Sequence, residues 1–142
     1  MKTVRQLLQV KTHGLCTIGP EARVFDSLKL MAEKNIGALL VVEGDQLVGI
    51  VSERDYARKV ILHGKSSHDT LVKEIMTARV VCVQPGNTVE ECMALMTDKH
   101  IRHLPVIEDE KLVGVLSIGD LVKEVISEQQ FMIKQLESYI HS

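Results

Sequence analysis

The chain is 142 residues long, with 17 Lys and Arg against 19 Asp and Glu, a formal charge of −2, no Trp, two Tyr and two Phe. That balance lacks the basic face of a nucleic-acid binder, and so few rings cannot build a stacking platform for single strands. No apolar run reaches the length of a membrane span and the N-terminus lacks a secretory signal, so a cytoplasmic protein is expected, with no nucleic acid and no membrane among its partners.

Residues 1–14 read as an N-terminal segment, followed by a weak strand at Cys16–Ile18. After Pro20 the apolar positions Val24, Leu28, Met31, Ala32 and Ile36 follow helical spacing, with Asp26 supplying only the acidic half of a capping box. Ala38–Val42 is too brief an apolar run for a helix, and with the polar turn Glu43–Gln46 and the second run Leu47–Val51 it reads as strand, turn, strand. Ser52 then starts a helix. The first unit is set at residues 15–66, its tail and the polar joint His63–Asp69 leading into a connector at 67–79 that holds a short helix over Thr70–Met76.

The second unit, residues 80–130, repeats this order. A weak strand over Val80–Val83 precedes a helix with Val89, Met93, Met96 and Ile101 on one face, opened by the capping box of Thr88 and Glu91. Strands Leu104–Ile107 and Leu112–Leu116 flank the turn Glu108–Lys111, and Ser117 starts the last helix. From Pro20 to Pro85 the offset is 65 residues, and at that offset Val24 meets Val89, Met31 meets Met96, Ile36 meets Ile101, Gly49 meets Gly114, Ser52 meets Ser117 and Asp55 meets Asp120 without a gap. A repeated unit that cannot bury its own apolar face must stack on its copy. The fold class is therefore α/β, of the α+β kind: two β-α-β-β-α repeats packed with pseudo-twofold symmetry around a shared cleft. One unit alone would be marginal in size.

Beyond Asp120 the helical spacing continues through Val122, Val125, Ile126, Met132, Ile133, Leu136 and Ile140, making a long C-terminal helix whose tail is residues 131–142. Its apolar stripe needs a cover, from the chain's own body or from a second copy, and its polar face has too few cations for membrane attachment. Three cysteines, Cys16, Cys82 and Cys92, form no CxxC pair and read as reduced, mostly buried thiols. His100 and His103 straddle a helix-to-strand junction and His63 and His68 lie in the joint, so no metal-ligand spacing is completed. There is no Ser elbow, Walker loop or dinucleotide glycine pattern, and Cys92 has no evident histidine partner, so the chain is not read as an enzyme.

The duplicated pattern closes on Gly49-Ile50-Val51-Ser52-Glu53-Arg54-Asp55 in one copy and Gly114-Val115-Leu116-Ser117-Ile118-Gly119-Asp120 in the other, and Ile101-Arg102-His103-Leu104-Pro105-Val106 precedes the second hairpin. In these motifs the chain resembles a tandem CBS-domain pair, or Bateman module, and looks closest to stand-alone bacterial pairs. The resemblance implies a regulatory module that binds an adenosine-containing ligand (AMP, ADP, ATP, NAD or S-adenosylmethionine) in clefts between its repeats, senses energy or redox metabolites, and acts on a regulated protein as a homodimer. No catalytic cofactor is implied. The alternative is a ligand-independent interaction or dimerisation module.

The chemistry expected of the site follows from residue type. Asp55 and Asp120, each in the first turn of a helix, can accept both ribose hydroxyls. Ser52 and Ser117 sit where free N–H groups and the helix dipole favour a phosphate. The same Ser-x-x-Asp spacing is also that of a helix cap, and the serine can serve both purposes. By resemblance the segment Ile101, Arg102, His103, Leu104, Pro105 faces the nucleotide, its backbone reading the adenine edge and its basic side chains the phosphate. Gly37 and Ala38 hold the matching place in the first copy, so the two clefts cannot be equivalent. Arg54 supplies a further cation where the second copy has Gly119, and His103 can equally be a packed or capping histidine.

Overall fold

A computed structural model of the chain describes residues 2–10 and 15–141; residue 1 and residues 11–14 of the N-terminal segment, and residue 142 of the tail, lie outside the described residues. In chain order come α1 (Val4–Val10), β1 (Thr17–Ile18), α2 (Val24–Lys34), β2 (Ala38–Glu43), β3 (Gln46–Ser52), α3 (Glu53–Tyr56) running into a turn of π-helix (Ala57–Ile61), α4 (Val72–Ile75), α5 (Val89–Lys99), β4 (His103–Glu108), β5 (Lys111–Ser117) and α6 (Ile118–His141). The expected α+β architecture of two repeats with a long C-terminal helix is what the chain adopts.

Helix starts follow their caps. Glu91 N–H donates to Thr88 Oγ1 (3.2 Å) and Thr88 N–H to Glu91 Oε1 (3.3 Å), whereas Arg23 at the head of α2 makes no side-chain cap and only pairs with Asp26 at 3.5 Å. Both α2 and α5 end on a left-handed residue, Asn35 (φ 54) and His100 (φ 55), which turns the chain out of the helix and into the hairpin behind it. The hairpins β2–β3 and β4–β5 are antiparallel and carry a register shift at the same point, between Val41 and Val42 and between Val106 and Ile107.

The leading strand is where the copies part. β1 pairs parallel to β2, with Leu40 N–H donating to the Cys16 carbonyl at 3.4 Å. The matching donor in the second copy would be Pro105, which has no N–H. The expected strand over Val80–Val83 therefore shrinks to a single bridge, Val83 to Val106, held by Val83 N–H on Pro105 O and Ile107 N–H on Val83 O, each 2.9 Å. Cys82 in this shortened segment is exposed, contrary to the expectation of mostly buried thiols, while Cys16 is half-buried and Cys92 is buried. Burial, reinforced by Glu91, pushes the Cys92 thiol up to about 11.

Two cores form, and each is completed by a segment from the other half of the chain. Val4 and Leu7 of α1 join Val89, Cys92, Met96, Leu104, Val106, Leu116 and Leu121 of the second copy. Val72 and Ile75 of α4 join Val24, Met31, Leu39, Val41, Val51 and Val60 of the first. The backbone attachments match: Val4 N–H donates to Asn87 O and Val89 N–H to Lys2 O, as Val72 N–H donates to Ala22 O and Val24 N–H to Thr70 O. Thr3 bridges Thr88 just as Leu71 bridges Arg23. Two strand glycines let these segments approach. A Cβ on Gly114 would stand 2.7 Å from Leu8 Cδ2; one on Gly49 would stand 2.7 Å from Met76 Sδ and 2.9 Å from the Thr77 carbonyl oxygen.

The obstructing atoms differ in how readily they yield, which orders two substitutions. Leu8 can rotate away, but the Thr77 carbonyl is bonded to Ile50 N–H at 3.0 Å and is fixed. Gly49→Ala is expected to destabilise by about 2–3 kcal/mol and Gly114→Ala by about 1 kcal/mol, measured by urea denaturation of the pure protein. The reverse order would show that the Leu8 contact, not the Thr77 backbone, is the rigid one.

Candidate functional site

Each hairpin ends on a serine that caps the following helix. Ser117 N–H donates to Asp120 Oδ2 (2.8 Å) and Asp120 N–H to Ser117 Oγ (3.2 Å). Ser52 repeats the arrangement with Asp55 at 2.9 and 3.1 Å, and its hydroxyl adds a third bond to Asp55 Oδ2 at 3.0 Å. The strand that opens each hairpin is tied to the same point: Glu53 N–H donates to Gly37 O (3.1 Å) and Ile118 N–H to Arg102 O (2.9 Å). Serine, aspartate and the residues ahead of the hairpin are thus locked into one rigid corner in each copy.

The surroundings of the two aspartates differ. Lys59, four residues after Asp55, reaches within 3.5 Å of its Oδ1 and also donates to Ile75 O at 2.8 Å. Four residues after Asp120 stands Glu124, nearly buried and paired with Lys2 at 3.1 Å. The first aspartate has a cation held against it by its own helix; the position that does this in the second copy carries an acid turned toward the N-terminus.

Between the copies lies a cleft of about 620 Å³. From the first copy it is walled by the α2–β2 junction, Lys34 to Leu40, with Leu15, Cys16 and Ile50; from the second come His103, Val115, Ser117 and Asp120. Of the residues expected from sequence, the cleft gathers Gly37, Ala38, His103, Ser117 and Asp120. Outside its lining stand Ser52 and Asp55, capping α3; Arg54 and Arg102, both exposed; Leu104 and Pro105, both buried; and Ile101, packed against the second core. Sequence reasoning missed Cys16, Lys34 and Asn35. Lys34 is the last residue of α2, next to the left-handed Asn35 that ends the helix at the cleft, a stop that the run Lys34-Asn35-Ile36-Gly37 signals only when Asn is read as a helix cap.

The lining sets one carboxylate, one imidazole, one ammonium, the Ser117 hydroxyl and the Asn35 amide among otherwise mainly apolar residues, with Ile36–Ala38 among them. Such a cleft can sandwich a flat apolar ring, satisfy its edge through backbone groups, and hold a polyhydroxylated or anionic remainder. His68 in the joint stacks on Phe25, ring centroids 4.2 Å apart, and among the described residues no group of three or more His, Cys, Asp or Glu converges as a metal site. No helix among the described residues is long and apolar enough to cross a membrane.

The family model for the CBS domain matches the chain twice, over residues 4–62 and 72–127. The mitochondrial CBS domain-containing protein CBSX3 of Arabidopsis thaliana is 46% identical over 122 residues, 82% of this chain but only 59% of that protein's length. The CBS domain-containing protein YhcV of Bacillus subtilis is 31% identical over 118 residues, 83% of this chain and 84% of its own. Among solved structures, a protein with CBS domains from Burkholderia ambifaria MC40-6 is 55% identical, with a TM-score of 0.87 over 90% of this chain and 96% of that one.

The caps set a structural baseline for the site. Ser117→Ala is expected to lower stability by about 1 kcal/mol, the usual worth of a helix cap, as measured by chemical denaturation. A loss well beyond about 2 kcal/mol would mean that the serine holds the corner together and not only the helix start.

Proposed function

Because the chain belongs to the CBS-domain family and carries that domain twice in tandem, we propose that it is a regulatory module whose ligand is an adenosine compound, AMP, ADP, ATP or NAD, held in the cleft between its copies. The observation that carries this reading is the convergence of Ser117 and Asp120 on the same cleft as the Gly37–Ala38 backbone. In it the ribose hydroxyls donate to the Asp120 carboxylate, which its serine cap holds in place, and the adenine edge meets the backbone of Ile36–Ala38. The phosphate lies toward Ser117, where the dipole of α6 favours an anion. His103 and Lys34 line that cleft; Arg102, exposed beside His103, and Arg54 are the cations for a phosphate tail that leaves it.

Ser52, Asp55 and the segment Ile101 to Pro105 form the matching set for a second site. There a ribose must displace Lys59 from Asp55 before it binds. The module works as a homodimer that changes the state of a regulated protein. The exposed C-terminal helix favours one other reading, a module that binds partners without any ligand, and the absence of a nucleotide effect on melting selects it.

Asp120→Ala removes a charged acceptor for two hydroxyls and is expected to weaken binding in its own cleft by tenfold or more in calorimetric titrations with AMP, ATP and NAD, whereas Asp55→Ala leaves that event unchanged. At about a hundred times its dissociation constant the ligand adds roughly 2.7 kcal/mol to the folded state of the wild type, readable as a rise in melting temperature. If none of the three nucleotides gives heat or a shift at millimolar concentration, the reading fails.

A second measurement needs no mutation. Cys16 lines the cleft and Cys82 does not. Saturating AMP is expected to slow iodoacetamide labelling of Cys16 several-fold, read by peptide mass spectrometry, and to leave Cys82 unaffected. Arg102→Ala sorts the phosphate contact: AMP binding falls about tenfold and adenosine binding stays the same if that arginine meets the phosphate. Equal losses would give Arg102 a role in the fold alone.

A further inference from the structure

Helix α6 leaves the body partway along its length. Leu121 and Glu124 are buried, yet every residue from Gln129 to His141 is exposed. The chain's own body therefore does not cover the apolar stripe. Along the exposed face Val122, Ile126, Gln129, Ile133, Leu136 and Ile140 succeed one another at alternating spacings of four and three, which is the repeat of a two-helix seam. The five apolar members are between 42% and 73% exposed. A seam of this kind is satisfied by another helix with the same repeat, and a second copy of α6 is one.

Which way the copies run is decided by the residues beside the seam. Immediately after Val122, Gln129 and Leu136 come Lys123, Gln130 and Glu137, all exposed. In an antiparallel pair pivoting at Phe131, Val122 packs on the partner's Ile140, Ile126 on the partner's Leu136 and Gln129 on the partner's Ile133, so all six seam residues are used. The flanking row then meets itself in reverse order. Lys123 faces the partner's Glu137 at both ends, and Gln130 faces the partner's Gln130 in the middle. In a parallel, in-register pair the same row would meet the residues that precede the seam, which sets Glu137 beside the partner's Met132 and gives Lys123 no acid. Two opposite-charge pairs against none select the antiparallel arrangement. A membrane is a poorer occupant, because Lys123 and Lys134 are outnumbered by Glu124, Glu128 and Glu137 along the helix.

We infer that two copies of this chain join through α6 as an antiparallel helix pair, with Val122, Ile126, Ile133, Leu136 and Ile140 as its seam and Lys123–Glu137 pairs fixing its direction. This deepens the homodimer named above, rests on that part of the reading, and does not depend on what occupies the cleft.

The test is sedimentation velocity over a dilution series of the full chain. Wild type is expected to run as a dimer at micromolar concentration, and Ile133→Asp, at an exposed position that does not enter either core, as a folded monomer. Lys123→Glu and Glu137→Lys each place like charges at both ends and raise the dimer dissociation constant about tenfold; the double variant restores opposite charges and returns it to within about threefold of wild type. A monomeric wild type overturns both the homodimer and this interface, and binding of that monomer to anionic vesicles would assign the stripe to a membrane instead. A dimer indifferent to Ile133→Asp places the interface elsewhere. A dimer broken by Ile133→Asp but indifferent to the charge reversals, or not rescued by the double variant, keeps the homodimer and overturns the antiparallel direction.

Discussion

Reciprocal docking of a short segment from each half onto the other half is the constraint from which the remaining geometry follows. α1 closes the second core and α4 closes the first, each through a backbone bond to the residue that opens the opposing copy, Val4 to Asn87 and Val72 to Ala22. Neither copy has a complete core without a piece from beyond its own hairpin. The two halves are thereby held as one body, and the wall that Ile36–Ala38 presents to Ser117 and Asp120 is as fixed as the cores behind it. A loose pair of domains would leave that cleft free to open; interlocked cores do not.

The scaffold was largely written in local patterns. Helical spacing around Met31 and Met96, the capping box at Thr88, the paired short apolar runs and the doubled Ser-x-x-Asp are all read from neighbours within a few residues. The exchanged segments escape such a reading for two reasons. Val4, Leu7 and Leu8 correspond to Val72, Ile75 and Met76 at a spacing three residues longer than that of the hairpins, so a gap-free overlay does not align them. Seven residues are also too few for a helical period to stand out, and their partner core is on the other side of the chain. The lost strand at Val80–Val83 has an equally specific cause, since the proline that interrupts it lies on the partner strand and not within the run itself. In the site, Ser117, Asp120, Gly37, Ala38 and His103 were legible because their motifs are contiguous. Lys34 was not, because it lines the cleft as the last residue of α2, and that stop is legible only when the left-handed Asn35 is read as a helix cap.

Duplication gives two corners of the same design, and substitution at one helical position has made them different. Lys59 lies one turn after Asp55 and reaches back to it, while the corresponding residue after Asp120 is Glu124, whose charge is directed to Lys2 at the start of the chain. The first corner therefore carries its own counter-ion and is electrostatically satisfied as it stands. At the second, Glu124 stands in the place of that lysine and pairs with Lys2 of the N-terminal segment. The ion pair of Lys2 also ties the docking of α1 to the helix that begins at Ile118, so the segment that completes the second core and the corner that lines the cleft share one attachment.

The uninterrupted course of α6 has a mechanical meaning. The helix that starts beside Asp120 contains 24 residues with no proline or glycine after its second position, whereas the equivalent helix of the first copy passes into a π-turn and ends at Ile61. At 1.5 Å per residue it is a rod about 36 Å long, so a tilt of about 5° at its first turn carries the far end through about 3 Å. A displacement too small to disturb either core at the cleft becomes, at Ile140, comparable to the width of a side chain. The first copy has no such lever, and whatever moves the corner at Ser117 is magnified while a similar shift at Ser52 is not.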